Sequence, residues 1–215
     1  MIGNNILISR GVLRHGVFMP IFTEQAPAGS LSKTVKDQIR KLYSITEVIN
    51  MKNVRLVKVD TKNFDALIDL EVNEEQKNYV ASNIYSLAEA YATKSEGRFA
   101  LPLGIYDGET PVGFLMIGYD DPDFCDGEAP EYMKNSYLIW RFMIDKNHQR
   151  KGYGRAAMQQ ALELVRSFPC GESKYCWISY EPENEAARNL YLSFGFEEKP
   201  EDYVEGEEMP AVMKL

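Results

Sequence analysis

Histidine is nearly absent from this chain: His15 and His148 are the only two in 215 residues. Cysteine is scarce too, and Cys125, Cys170 and Cys176 are not spaced as a ligand set. Both shortages argue against a zinc cluster or any other metal site, and three thiols fit a reducing, cytoplasmic setting better than a disulfide framework. Long apolar runs are missing as well. No stretch approaches the ~18 apolar residues of a membrane span, and Arg10 and Arg14 interrupt the apolar positions that a secretory signal would keep clean. Surplus positive charge is also lacking. Lys and Arg number 24 against 32 Asp and Glu, a net of -8, which argues against a general nucleic-acid binder. What remains is a globular profile, with 45% hydrophobic and 26% charged residues in a length that suits one ordinary domain. An acidic protein fits an amine partner better than an anionic polymer.

The charge is unevenly spread. Residues 1–50 hold six Lys/Arg against three acids, a net of +3, which leaves -11 for the remainder. Ala26–Ser30 reads as a loop, and Ser30 would cap a helix over residues 31–47 with Leu31, Val35, Ile39 and Leu42 on one face. Residues 1–50 therefore read as an extension whose role stays open between a docked segment, a partner-binding arm and a mis-assigned start, and residues 51–215 as the main domain.

From Met51 the pattern sharpens. "VRLVKV" alternates as a strand does. "TKNFDALIDLEV" reads as a helix capped by Thr61. A second helix is expected over Tyr79–Tyr91, with Val80, Ile84, Leu87, Ala88 and Tyr91 inward. Two strands then flank an Asp107-Gly108 turn. "SYLIWRFMID" is almost continuously apolar and reads as a central strand covered on both faces. A helix over Gly152–Phe168, a buried strand "KYCWISY", a helix capped by Asn184 and ended by Gly195, and a closing hairpin complete the chain. The fold class is α/β of the α+β kind, a mixed sheet with helices on both faces.

One stretch carries chemistry: "HQRKGYGRAAMQQAL", His148–Leu162. It sets a short loop and an open helix start directly after a buried strand. The first N–H groups of a helix lack backbone partners, and the helix dipole favours negative charge there by ~0.3–1 kcal/mol. Gly152 and Gly154 remove side chains that would keep a phosphate off that backbone. Gln149, Arg150, Lys151 and Arg155 can add donors around them. A nucleoside-triphosphate loop would read G-x-x-x-x-G-K-[ST], which is not present, and only a short match supports a dinucleotide fingerprint. On this stretch alone, a glycine-rich turn with no ligand remains open.

About thirty residues on comes "NEAARNLYLSFGF". Together, "QRKGYG" after one strand and N-x-x-A-x-x-L-Y-x-x-x-G-F after the next resemble the GCN5-related N-acetyltransferase (GNAT) family, over roughly residues 51–215. Within it, "LEVNEEQKNYVASNIYSLAEAYA", "VGFLMIGYD" and "YLIWRFMID" look like the bacterial diamine and spermidine acetyltransferases. The resemblance implies a mostly antiparallel sheet and an acetyl-CoA-dependent N-acetyltransferase. Its substrate would be a small primary amine, a diamine or a polyamine such as spermidine, and by analogy with relatives the chain would form a homodimer. Gln149, Arg150, Lys151, Gly152, Tyr153, Gly154 and Arg155 would hold the pyrophosphate of acetyl-CoA, and the backbone of Phe142, Met143 and Ile144 the pantetheine arm. The last role needs that strand splayed from Cys176–Tyr180. Asn184 would touch the cofactor or simply cap its helix. Tyr191 would protonate the leaving thiolate, or else fill the core beside Leu190 and Phe194.

The acceptor side departs from the family. A primary amine must lose a proton before it attacks, which costs about 4.6 kcal/mol at pH 7. Several family members place a carboxylate where Trp140 stands here. Glu71, Glu74 and Glu75 are the candidates for base or amine contact, against the plainer reading of solvated residues. Trp140 would pack an amine's methylene chain or fill the core. Asp120–Glu131, "DDPDFCDGEAPE", holds six acids and no Lys or Arg. Asp120, Asp121 and Asp123 there would attract a polycation, or form an ordinary acidic loop. Another amine (a protein amino terminus, an aminoglycoside or an amino acid) and a non-catalytic acyl-CoA sensor are the competing readings.

Overall fold

The computed structural model describes residues 54–120 and 129–215, together with the backbone of two short strands. The chain divides into two compact units, Met1–Val48 and Ile49–Leu215. In the first, β1 (Ser9–Val12) and β2 (Phe18–Ile21) pair antiparallel, with Ser9 opposite Ile21 and Val12 opposite Phe18. The helix expected over 31–47 lies outside the described residues.

The second unit is built on seven strands: β3 (Val54–Lys58), β4 (Phe99–Asp107), β5 (Thr110–Tyr119), β6 (Tyr137–Ile144), β7 (Tyr175–Tyr180), β8 (Glu197–Glu198) and β9 (Met209–Lys214). They lie in the order β3-β4-β5-β6-β7-β9-β8, and every pair is antiparallel except β6 with β7. The sheet is thus mixed and mostly antiparallel, as the sequence implies. Its helices are α1 (Phe64–Ile68), α2 (Asn83–Ser95), α3 (Tyr153–Arg166) and α4 (Glu185–Ser193).

The period of two along the central strands separates the cores. Leu115, Ile117 and Tyr137 pack with Ala157, Met158, Ala161 and Val165 of α3 and Tyr191 of α4, while Phe114 and Met116 pack with Ala90 of α2. Strands buried on both faces lose the apolar–polar alternation, which is why β5 and β6 read as continuous apolar runs. In β6 a bulge interrupts the register: Ile117 faces Ile139 and Met116 faces Arg141, which leaves Trp140 without an opposite residue. The extra residue reverses the phase of the strand. Before it Tyr137 and Ile139 join the α3 core; after it Phe142 and Ile144 do.

Two sequence expectations are corrected. The helix read over "TKNFDALIDLEV" is confined to Phe64–Ile68 and follows Asn63, not Thr61. Tertiary pairing draws the rest out straight: the Glu71 N–H donates to Asp145 Oδ2 (3.2 Å) and the Lys146 N–H to the Glu71 carbonyl (2.7 Å). The second helix starts at Asn83, because Ser82 Oγ accepts from the Tyr85 N–H and caps it there. Its buried residues are Asn83, Ser86, Ala90 and Thr93; Val80 and Leu87 pack against the core as expected, but Ala88 is exposed and Ile84 and Tyr91 are 62% and 78% exposed. The Asn83 amide donates to the Leu67 carbonyl (2.8 Å), and that bond and the small residues around it turn the helix away from the face its larger apolar residues imply.

Candidate active site

The parallel pairing of β6 with β7 consists of two residue pairs, Tyr137 with Cys176 and Leu138 with Trp177. Beyond them the strands diverge, as the pantetheine reading requires. The wedge opens into a cleft of about 690 Å³ lined by Trp140–Ile144 on one side and Ile178, Ser179 and Tyr180 on the other. Backbone groups on the inner edges of a split sheet lack strand partners, and an extended chain can supply them.

The start of α3 forms one end of the cleft. Gly152 occupies the N-cap position at φ 85°, a conformation that strains any residue with a Cβ, and no side chain caps the helix. Gly154 serves a different purpose. A Cβ built on it would lie 3.7 Å from Leu190 and 3.8 Å from Ile144, ordinary contacts, so the fold itself does not demand glycine there. Its missing side chain leaves room in the cleft, which Gly154 lines. Arg150 and Arg155 line it as well; Arg155 donates to Ser193 Oγ (3.1 Å) and lies over the Phe194 ring at 5.4 Å.

The other basic-loop residues are used differently. The Gln149 amide borders the cleft but is committed to the Ile144 carbonyl (3.0 Å) and Gln76 Oε1 (2.7 Å), so it fixes the loop. The Lys151 ammonium binds the Asn147 carbonyl (2.6 Å) and does not line the cleft. The Tyr153 side chain is buried, with its hydroxyl donating to Asp107 at the far end of β4. Only the backbone of Lys151 and Tyr153 remains for a ligand at the helix start.

Asn184 caps α4, its Oδ1 accepting from the Ala187 N–H (3.1 Å), and it also borders the cleft. Tyr191, in the last turn of α4, is 5% exposed, with its ring centroid 5.5 Å from that of Tyr180. It lines the cleft, and its hydroxyl has no hydrogen-bond partner among the described residues. Burial pushes the phenol well above its usual pKa, and the negative charge of Glu208 adds to the shift. Its neighbour Tyr180 is held by Glu198, which also accepts from Arg188 Nε (2.7 Å). The Arg188 and Tyr180 hydrogen bonds lower the Glu198 carboxyl to about 2.

The acceptor residues read from the sequence scatter. Trp140 lines the cleft, at the bulge. Glu71 does not: its carboxylate pairs with Lys146 (2.8 Å) and borders a smaller adjoining hollow. Neither Glu74, paired with Lys77 (2.7 Å), nor Glu75 lines the cleft. Asp120 accepts from the Asn135 N–H (2.6 Å), and so ties together the chain after β5 and before β6. Asp121 and Asp123 lie outside the described residues. Instead the cleft gathers Arg141, Ser179, Tyr180 and Glu208, which the sequence reading passed over. Arg141 pairs with Glu89 (2.7 Å) while its Nε is buried and unbonded. Glu208 belongs to the closing hairpin expected from the sequence; strand pairing of Met209 with Tyr180 brings it beside Ser179.

Among the described residues no group of His, Cys, Asp and Glu is arranged to hold a metal ion, and no helix is long and apolar enough to cross a membrane. Spermine/spermidine N(1)-acetyltransferase of Bacillus subtilis (strain 168) is 29% identical to this chain over 150 residues, covering 67% of this chain and 88% of that protein. Among solved structures, spermidine N-acetyltransferase of Vibrio cholerae in complex with CoA and spermine superposes with a TM-score of 0.54 at 17% identity, over 75% of this chain and 94% of that one. The PaiA N-acetyltransferase of Thermoplasma acidophilum in complex with coenzyme A gives 0.51 at 14% identity, over 76% and 99%. The profile of the acetyltransferase (GNAT) family matches residues 64–196. With that match spanning more than half its length, the chain belongs to the GNAT acetyltransferase family.

Proposed function

We propose that the protein transfers the acetyl group of acetyl-CoA to a primary amine of a diamine or polyamine, with Tyr191 as general acid. One observation carries this reading: the splayed β6–β7 wedge, the uncapped start of α3 and the unpartnered Tyr191 hydroxyl open into a single cleft. The backbone N–H groups at Gly152–Arg155, with the Arg150 and Arg155 guanidinium groups, suit a pyrophosphate. The free edge of Phe142–Ile144 suits an extended arm with amide groups. Asn184 would serve as both cap and cofactor contact.

In the reaction, the neutral amine nitrogen attacks the thioester carbonyl. A C–N bond forms, the C–S bond breaks, and the sulfur receives the Tyr191 proton. The nitrogen gives up one proton to solvent, and solvent returns one to the phenol. Burial suits the tyrosine to this task by keeping it protonated throughout the neutral range. The polyamine assignment is supported by the name of the Bacillus relative and by the six acids of Asp120–Glu131.

One observation favours an acceptor carrying a carboxylate, such as an amino acid: Arg141 lines the cleft, and its buried Nε is left without a partner. Its charge is already matched by Glu89, which keeps the cationic amine in first place. The test is free-thiol release from acetyl-CoA with spermidine, spermine, putrescine, an aminoglycoside, an amino acid and an amino-terminal peptide. Turnover greatest with the first three is expected. Preference for the amino acid would reverse the order of the two readings, and no release with any amine would remove both.

A further inference from the structure

The charges lining the cleft are unevenly arranged. Lys77, Arg141, Arg150 and Arg155 are its cations, and among the described residues Glu208 is its one carboxylate. Arg150 and Arg155 belong to the phosphate end. Glu208 lies by the outer part of β7, where the Ser179 hydroxyl donates to its carboxylate. Ser179 also lines the cleft, so the carboxylate is fastened to the wall. A second, independent feature marks the same place: Tyr191, more than nine-tenths buried, has a hydroxyl facing the cleft with no partner among the described residues. The two residues are close enough that the Glu208 charge acts on the phenol and on Glu181.

We infer that Glu208, held by Ser179, receives an ammonium group of the acceptor and so makes the site selective for cationic amines. The inference rests on the acetyl-transfer reading above and names the residue that defines its substrate class. The chemistry follows from the surroundings. An ammonium entering a cleft that already holds several cations needs a local anion, and a carboxylate fixed by a hydroxyl is preorganised to supply one. The Ser179 donor occupies one oxygen and leaves the other for the substrate.

The experiment compares wild type with Glu208→Gln, Glu208→Asp and Ser179→Ala in steady-state kinetics. For Glu208→Gln the expected result is a rise in KM for spermidine of about tenfold or more, with KM for acetyl-CoA within about twofold of wild type. Glu208→Asp should recover part of the loss. Ser179→Ala should raise the spermidine KM less, because it frees the carboxylate without removing it. An unchanged spermidine KM in Glu208→Gln overturns the inference, as does an equal rise in both KM values. A second arm separates this inference from the transfer reading: spermidine is titrated calorimetrically into CoA-loaded protein. If wild type releases no thiol with any amine yet binds spermidine, and Glu208→Gln does not bind it, the reaction is wrong and the ammonium site stands. If wild type fails to bind spermidine, or both bind alike, the site falls.

Discussion

The two ends of the cleft are built from different materials. The end proposed for phosphate is a single run, Gln149–Arg155, whose central element is backbone: a left-handed Gly152, an open helix start and the space over Gly154. The end proposed for the acceptor is assembled from side chains far apart in the chain, with Trp140 and Arg141 from β6, Ser179 and Tyr180 from β7, and Glu208 from the approach to β9. Backbone amides carry no residue identity, so the first end needs only small residues at two positions and a helix to follow. The second depends on which strand lies beside which. The phosphate end should therefore be common to members of a family, and the acceptor end is where individual members differ.

The sharpest test of this division is the residue between the ends. Tyr191→Phe keeps the ring that packs on Tyr180 and Phe196 and removes only the hydroxyl proposed as proton donor. The expected loss is in kcat, roughly 10²–10⁴-fold, with both KM values little changed. The pH profile sharpens the prediction. An acid whose pKa is raised by burial stays protonated up to and beyond the ordinary tyrosine value, and the stability tied to that protonated form is lost only as pH rises above about 10. Between pH 6 and about 9.5 the wild-type rate should only climb, as more amine becomes neutral. An alkaline limb below pH 9 that vanishes in Tyr191→Phe would contradict this account of the phenol.

At the phosphate end, Gly154→Ala puts a methyl group into the cleft without straining the fold, since the added Cβ meets neighbours at ordinary distance and alanine is a better helix former than glycine. CoA affinity should fall about 100-fold, close to 2.7 kcal/mol, in calorimetry. The melting temperature should move by under about 4 °C. Retained affinity would mean that the ligand does not approach α3 at Gly154. Arg150→Ala and Arg155→Ala should each weaken CoA by about 3–10-fold, and the difference from wild type should shrink as salt is raised. The ranking matters more than the sizes: a larger loss at either arginine than at Gly154 would make the site one of side chains rather than backbone.

Much of the fold and half of the site could be read from the chain, for traceable reasons. The Asp107-Gly108 turn, the apolar β5 and β6, the Asn184 cap and the helix from Gly152 are all set by neighbours within a few residues. The bulge at Trp140 is a product of pairing with β5, and no residue in "YLIWRFMI" announces it. Leu87 of α2 packs inward as its spacing implies, but a hydrogen bond from Asn83 to α1, sixteen residues away, sets the rest of the face and leaves Ile84 and Tyr91 outside. Glu208 was invisible for a third reason. In "VEGEE" nothing distinguishes it from Glu205 or Glu207; only the register that sets Met209 against Tyr180 brings it to the cleft.

The smallest expected effect tests the acceptor boundary. Sequence position favours Glu71 as an amine contact, but the structure gives it another task. Its backbone N–H and carbonyl bind Asp145 and Lys146, which steadies the segment leading from β6 into the phosphate loop. Its carboxylate meets the exposed Lys146 ammonium, and that hydrogen bond lowers its pKa. Glu71→Gln keeps both backbone bonds and gives up only an exposed ion pair, whose worth is small. Spermidine KM and kcat should then stay within about twofold of wild type, measured beside Glu208→Gln under the same salt. A rise in spermidine KM comparable to that of Glu208→Gln would extend the acceptor groove over the smaller hollow bordered by Glu71 and Lys77, and the amine would then lie along β6 rather than beside β7.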